Sequence, residues 1–161
     1  MMIGKKIIIV GQGGSGKDYL KSKFVSKGFS PAISHTSREP REGEVEGVDY
    51  FFRTKRQFEE LLDAADLHEY DIFNGQYYGT TNKSFLNNDV FIKTPRGVAK
   101  LTKEQRAYCF IIFIDIDEHI RRERLSNRMD LNDVVERRLD ADREDFKDFT
   151  DFDLHITNHK F

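Results

Sequence analysis

The sequence has no tryptophan, one cysteine and three prolines in 161 residues. A single thiol excludes any disulfide within the chain, so stability has to come from an apolar core, which this length can supply in one domain. Cys109 sits inside Tyr108-Cys109-Phe110-Ile111-Ile112-Phe113-Ile114 and reads as a buried thiol rather than a nucleophile. Charge of one sign is also scarce: 26 Lys and Arg stand against 28 Asp and Glu, a net charge of -2. That balance argues against a nucleic-acid partner, which asks for a basic excess. No apolar run is long enough to cross a bilayer, and the start lacks the apolar region of a secretion signal, so the expectation is no membrane and a reducing cytoplasm. The histidines at 35, 68, 119, 155 and 159 have no metal-ligand spacing, and no Ser-His-Asp or Cys-His set stands out. Internal repeats and low-complexity segments are missing too.

What is present begins at Gly11-Gln12-Gly13-Gly14-Ser15-Gly16-Lys17-Asp18. Before it, Ile7-Ile8-Ile9-Val10 reads as a buried parallel strand; after it, Tyr19-Leu20 and Phe24-Val25 recur at helical spacing. Strand, glycine loop and helix form the context of a Walker A match. Backbone N–H groups of Gly11, Gly13, Gly14, Ser15 and Gly16 can then turn onto phosphate oxygens at the positive end of the helix, with Lys17 reaching the outer phosphates. Asp18 and Tyr19 complete the nucleotide-side set. Asp18 departs from the motif, which ends in Ser or Thr.

Along the chain, Gly28 reads as a helix end and Pro31–Ser34 as a short strand, with a polar loop over 35–49 and a strand at Tyr50-Phe51-Phe52. Thr54-Lys55-Arg56-Gln57 is a capping box for a helix striped by Phe58, Leu61, Leu62 and Ala65. Two extended pieces flank Asn74-Gly75 as a hairpin. A strand at Val90–Lys93, a helix over 96–104, a strand over 108–115, helices from 117 to 128 and 130 to 147, and a last strand at Phe152–Ile156 follow. Asp117 is read as a helix N-cap. Alternating strands and helices predict the α/β class: a P-loop NTPase fold, with a parallel central sheet flanked by helices. Within one domain over 1–161, the expected parts are a core (1–33, 89–120, 149–161), a strand-rich insertion at 34–88 and a helical lid at 121–148.

Ser34-His35-Thr36-Ser37-Arg38-Glu39-Pro40-Arg41, running on to Tyr50, and Glu69-Tyr70 through Tyr77-Tyr78-Gly79-Thr80 resemble the guanylate kinase family. So do Arg124, Arg128 and Arg138 in the Arg-rich segments after residue 120. Taken in order, the resemblance covers most of the chain. It implies that Ser34, Arg38, Arg41, Tyr50 and Tyr78 hold the 5′-phosphate of an acceptor nucleotide. Glu69 would accept from guanine N1–H and its 2-amino group, and Thr80 would contact the base. Arg124, Arg128 and Arg138 would close over the phosphoryl group with Lys17. Forked arginines suit phosphate, and a carboxylate suits a donor–donor base edge. No general base is needed, because a phosphate monoester is already mostly dianionic at neutral pH.

The resemblance thus implies a kinase that moves the ATP γ-phosphoryl group to GMP or dGMP with Mg²⁺, as monomer or homodimer. Two family carboxylates are missing: Ile92 and Thr94 stand where one near magnesium and one near guanine are expected. Asp18 is the candidate replacement at the metal. Arg121, Arg122 and Arg137 read as solvated helix charges, the last beside Asp140 and Asp142. Three alternatives remain: a ribose 1,5-bisphosphate kinase, which shares the Gly-Lys-Asp ending; a kinase for another nucleoside monophosphate; and a non-catalytic guanylate kinase-like protein-binding module.

Overall fold

The computed structural model describes residues 5–73, 75–128 and 132–161. β1 (Lys6–Gly11) runs into the glycine loop and α1 (Lys17–Ser26). β2 (His35–Thr36), β3 (Phe51–Phe52), α2 (Lys55–Asp63), β4 (Leu67–Phe73), β5 (Gln76–Thr81) and α3 (Asn82–Asn87) come next. β6 (Val90–Ile92), α4 (Pro95–Ala99), α5 (Lys103–Ala107), β7 (Cys109–Ile114), α6 (Glu118–Ser126), α7 (Asn132–Phe146) and β8 (Leu154–Ile156) complete the chain.

The first sheet has the order β6-β1-β7-β8, with every pairing parallel. Its central strands are covered on both faces, which is why they are apolar without alternation. Ile8 and Val10 pack with Phe91, Ile111 and Phe113 on one side, while Ile9 packs with Val90, Ile112 and Ile114 on the other. Leu20 and Phe24 of α1 cover the second side. Cys109 lies buried in the first cluster, as its apolar run predicts.

The second sheet has the order β3-β2-β5-β4, parallel only between β2 and β3. Phe58 of α2 is fully buried beneath it and stacks on Tyr77 at 5.0 Å. A Cβ on Gly79 would come within 3.0 Å of that ring, so the strand approaches the helix only because it has no side chain there. Tyr77 and Gly79 therefore face α2. The cross-strand pairs Glu69–Thr80 and Asp71–Tyr78 share the opposite face.

Several local expectations are corrected. The helix expected over 96–104 is two helices, because Thr102 and Gln105 form a new capping box that restarts the chain at Lys103. The expected strand at Pro31–Ser34 reduces to a single bridge between Pro31 and Val90, and regular pairing starts at His35. Asp117 occupies the N-cap position of α6, but its side chain makes no capping bond. The Thr54–Gln57 capping box forms as expected. Asn74, half of the expected hairpin turn, and the first expected residues of the last long helix lie outside the described residues. The pairing of β4 with β5 on either side of that turn forms.

Candidate active site

The glycine loop leaves β1 between its two parallel neighbours. Gly14 has φ +76°, and a Cβ there would lie 2.9 Å from the Arg121 carbonyl oxygen, so backbone shape and the approach of α6 both demand glycine. A Cβ on Gly13 would lie 2.6 Å from Arg138 Nε, which brings Arg138 of α7 directly onto the loop. Gly16, at φ +99°, opens α1, and Ser15 is fully buried with its hydroxyl unpartnered. Lys17 Nζ donates to the Gly11 and Gln12 carbonyls at 2.7 and 3.0 Å. Burial pulls its ammonium down from 10.5 to about 8; Arg138 and Arg128 add to this, while Asp142 and Asp18 oppose it.

Arg124 Nη1 donates to the Gly14 carbonyl at 3.0 Å. Arg124 thus meets the loop at Gly14 and Arg138 at Gly13, and the charges of Arg138 and Arg128 bear on Lys17. Asp18 is well exposed, 4.0 Å from Lys21. Tyr19 is exposed, edge-on to Phe161 at 6.0 Å.

On the second sheet, Arg38 makes a two-pronged pair with Glu44 at 2.9 and 3.0 Å and lies over the Tyr50 ring at 5.4 Å. Tyr50 and Tyr78 meet at 6.2 Å. Burial holds the Tyr50 phenol above its usual range, with Tyr78 and Asp18 adding to the shift, so Tyr50 stays a donor. Asp18, the residue after Lys17, is thus within electrostatic range of Tyr50. Arg41 is exposed, its backbone N–H donating to Glu44 at 2.7 Å. Ser34 leads into β2, and its carbonyl accepts from Phe51. Arg38, Tyr50 and Tyr78 are thus brought together, whereas the Arg41 side chain stands at the rim.

Glu69 and Thr80 are both buried, side by side across β4 and β5. Glu69 Oε1 accepts from Lys93 Nζ at 2.8 Å, a partner that sequence reasoning missed. One signal was available: Phe91 and Lys93 sit two residues apart on a strand, so both point into the same core face. Thr94 caps α4 and donates to Asp71 at 3.2 Å, which places a carboxylate beside the residue that lacks one. Arg96 ties Asp71 to Asp145 of α7, each at 3.1 Å. Ile92 packs against the apolar cluster on the α1 side of the first sheet.

Two readings in the helices after residue 117 are overturned. Arg121 is not a solvated charge: it is buried, donates through Nε to the Ile116 carbonyl at 3.1 Å and lies 3.5 Å from Asp142. Asp142 is not an exposed neighbour of Arg137: it is buried and accepts from the Gly13 N–H at 2.9 Å. Both contacts join residues far apart in the chain, so helical spacing alone could not reveal them. Arg122 behaves as expected, pairing at the surface with Glu118 and Glu136. Asp115, just past β7, accepts from Gln12 at 3.4 Å and pairs with His155 at 3.0 Å.

Among the described residues, no group of three or more His, Cys, Asp or Glu could hold a metal by itself. No helix of the described residues is long and apolar enough to cross a membrane.

Comparison with known proteins assigns a family. The family model for guanylate kinase matches residues 3–161. The chain is 32% identical over 166 residues to a guanylate kinase of Streptococcus thermophilus, covering 96% of this chain and 79% of that one. It is 32% identical over 167 residues to a guanylate kinase of Enterococcus faecalis, at 96% and 81% coverage. The crystal structure of guanylate kinase from Anaplasma phagocytophilum superposes with a TM-score of 0.72 at 21% identity, covering 98% of this chain and 78% of that one, and supports the fold alone. Given a family match over nearly its whole length and relatives at this identity and coverage, the chain belongs to the guanylate kinase family.

Proposed function

We propose that this chain transfers the γ-phosphoryl group of ATP to GMP, giving ADP and GDP, with dGMP as a second acceptor. The observation that carries the reading is the pairing of two sites in one chain: Lys17, Arg124 and Arg138 about the glycine loop, and Arg38, Tyr50 and Tyr78 on the second sheet, with Asp18 of the loop side within electrostatic range of Tyr50. Glu69 and Thr80 lie farther along the same face of that sheet as Tyr78.

In this reading the loop N–H groups and Lys17 hold the ATP phosphates. Arg38, Tyr50 and Tyr78 orient the acceptor phosphate, with Arg41 and Ser34 at its rim. The Arg38 fork must pass from Glu44 to the phosphate, or share it, when the acceptor binds. Glu69 selects guanine by accepting from N1–H and the 2-amino group, with Thr80 against the base; a mismatched base would leave a buried carboxylate unpaired. The acceptor phosphate attacks as a dianion, so no side chain has to remove a proton. Arg124, Arg128 and Arg138 neutralise the equatorial oxygens and help exclude water.

The donor set fits Mg²⁺ held mainly by substrate. Magnesium commonly takes one or two carboxylates plus phosphate oxygens, and Asp18 offers one exposed carboxylate next to Lys17. When bound, the ion supplies charge neutralisation between phosphate oxygens. The residues proposed for these roles fall into the three parts expected from the sequence: a nucleotide-binding core, an acceptor-binding region at 34–88 and a lid at 121–148.

Asp18 is also the one observation that favours a second reading, a ribose 1,5-bisphosphate kinase. That acceptor has no base to use Glu69. Phosphorus NMR of ATP and GMP with the protein tests the choice: β-phosphate signals of both GDP and ADP are expected, and ATP loss without GDP would contradict it.

A further inference from the structure

Lys93 and Glu69 form a buried pair of opposite charges, with side-chain exposures of 0% and 9%. The Lys93 ammonium lies 5.7 Å from the ring centroids of both Phe85 and Phe91, among core residues. Taking two ions out of water is costly, and an apolar side chain of similar length would fill this slot without that cost. Folding alone gives no reason for the lysine.

Glu69 does. A carboxylate buried here without a cation would be driven towards its protonated form. Protonation changes what the group can read. An ionised carboxylate only accepts, which matches the two donors on the guanine edge, N1–H and the 2-amino group. A neutral carboxyl can donate to adenine N1, which an ionised one would oppose, so protonation weakens the contacts to guanine and relieves the penalty against adenine. The second oxygen of Glu69 abuts the first turn of α4, where a Cβ on Gly97 would lie 3.2 Å away. The Lys93 bond to Oε1 at 2.8 Å fixes one oxygen of the carboxylate.

We propose that Lys93 is a specificity-determining positioning residue, which pins Glu69 and keeps it ionised so that the acceptor site reads guanine and rejects adenine. This inference rests on the reading of Glu69 as the base-selecting group.

The test is the ratio of kcat/KM for GMP to that for AMP, at saturating MgATP, between pH 6 and pH 8.5. Both acceptors carry the same phosphate and are assayed on the same sample, so the ratio cancels phosphate titration and any unfolded fraction. The proteins are the unaltered chain, Lys93→Met, Glu69→Gln and the double variant. Burial lowers the Lys93 ammonium while the Glu69 charge and hydrogen bond hold it up, and with that pair intact the unaltered chain should hold its ratio across the range. In Lys93→Met the ratio should fall several-fold from pH 8.5 to pH 6, because a buried carboxylate without a cation favours its neutral form. Glu69→Gln and the double variant should share one ratio, independent of pH, because Lys93 acts only through Glu69. A Lys93→Met ratio that tracks the unaltered chain at both ends of the range would overturn the proposal. So would a change of more than about fivefold on adding Lys93→Met to Glu69→Gln, well beyond the additivity error of independent sites; this comparison decides the matter if Lys93→Met alone yields no folded protein. An unaltered chain that does not phosphorylate GMP would instead refute the reading of Glu69.

Discussion

Asp142 of α7 accepts from the Gly13 backbone N–H at 2.9 Å, so a carboxylate from a distant helix is built into the glycine loop. Its charge is shared with Arg121, 3.5 Å away and equally buried. Asp142→Ala would leave the Arg121 guanidinium buried and unpaired, and should cost about 3 kcal/mol of unfolding free energy in denaturant titration. Asp142→Asn keeps an acceptor for Gly13 and should cost less. Equal stability of all three proteins would contradict the pairing.

Arg138 lies four residues before Asp142 on the same helix and rests where a Gly13 side chain would be. Gly13→Ala should therefore push the Arg138 guanidinium aside. Because the obstructing atoms belong to a flexible side chain, folding should change little. Misplacing a charge-stabilising group by about 1 Å costs on the order of a hundredfold in kcat. Retained kcat in Gly13→Ala would show that Arg138 need not sit there.

Lys17 titrates at about 8 in the free protein, lowered by burial and by Arg138. Bound phosphates favour its charged form, so they raise that value. At pH 8.5 most of Lys17 is neutral before binding and charged afterwards, so ATP binding takes up a proton. At pH 7 Lys17 is already charged and uptake should be small. Titration calorimetry in buffers of differing ionisation heat measures the difference directly. No uptake at pH 8.5 would contradict the shift.

Asp18 is exposed, and its charge bears on Tyr50. If it holds magnesium, Asp18→Ser should raise the Mg²⁺ concentration for half-maximal turnover several-fold. An unchanged Mg²⁺ dependence would remove Asp18 from the metal site.

The sequence made the first sheet legible because β1 and β7 are continuous apolar runs that only a two-sided burial explains. The hairpin over 67–81 was legible for a different reason, a turn signal between two extended pieces. The break at Leu101-Thr102 was not foreseen, although Thr102 and Gln105 carry the same capping signature as Thr54 and Gln57. Within the site, spacing and family resemblance singled out the loop and the arginines near it as candidates. Lys93, Asp71 and Asp142 could not, since each acts on a residue from another element: Glu69, Thr94 and Gly13 respectively. Periodicity locates a side chain on a face; it does not say which distant group that face meets.

The most direct test of the account is ADP release measured across GMP, dGMP, the other nucleoside monophosphates and ribose 1,5-bisphosphate, with ATP as donor. The account predicts turnover with GMP and dGMP, and a kcat/KM far below these for AMP and for the sugar bisphosphate. Turnover of the sugar bisphosphate alone would contradict it.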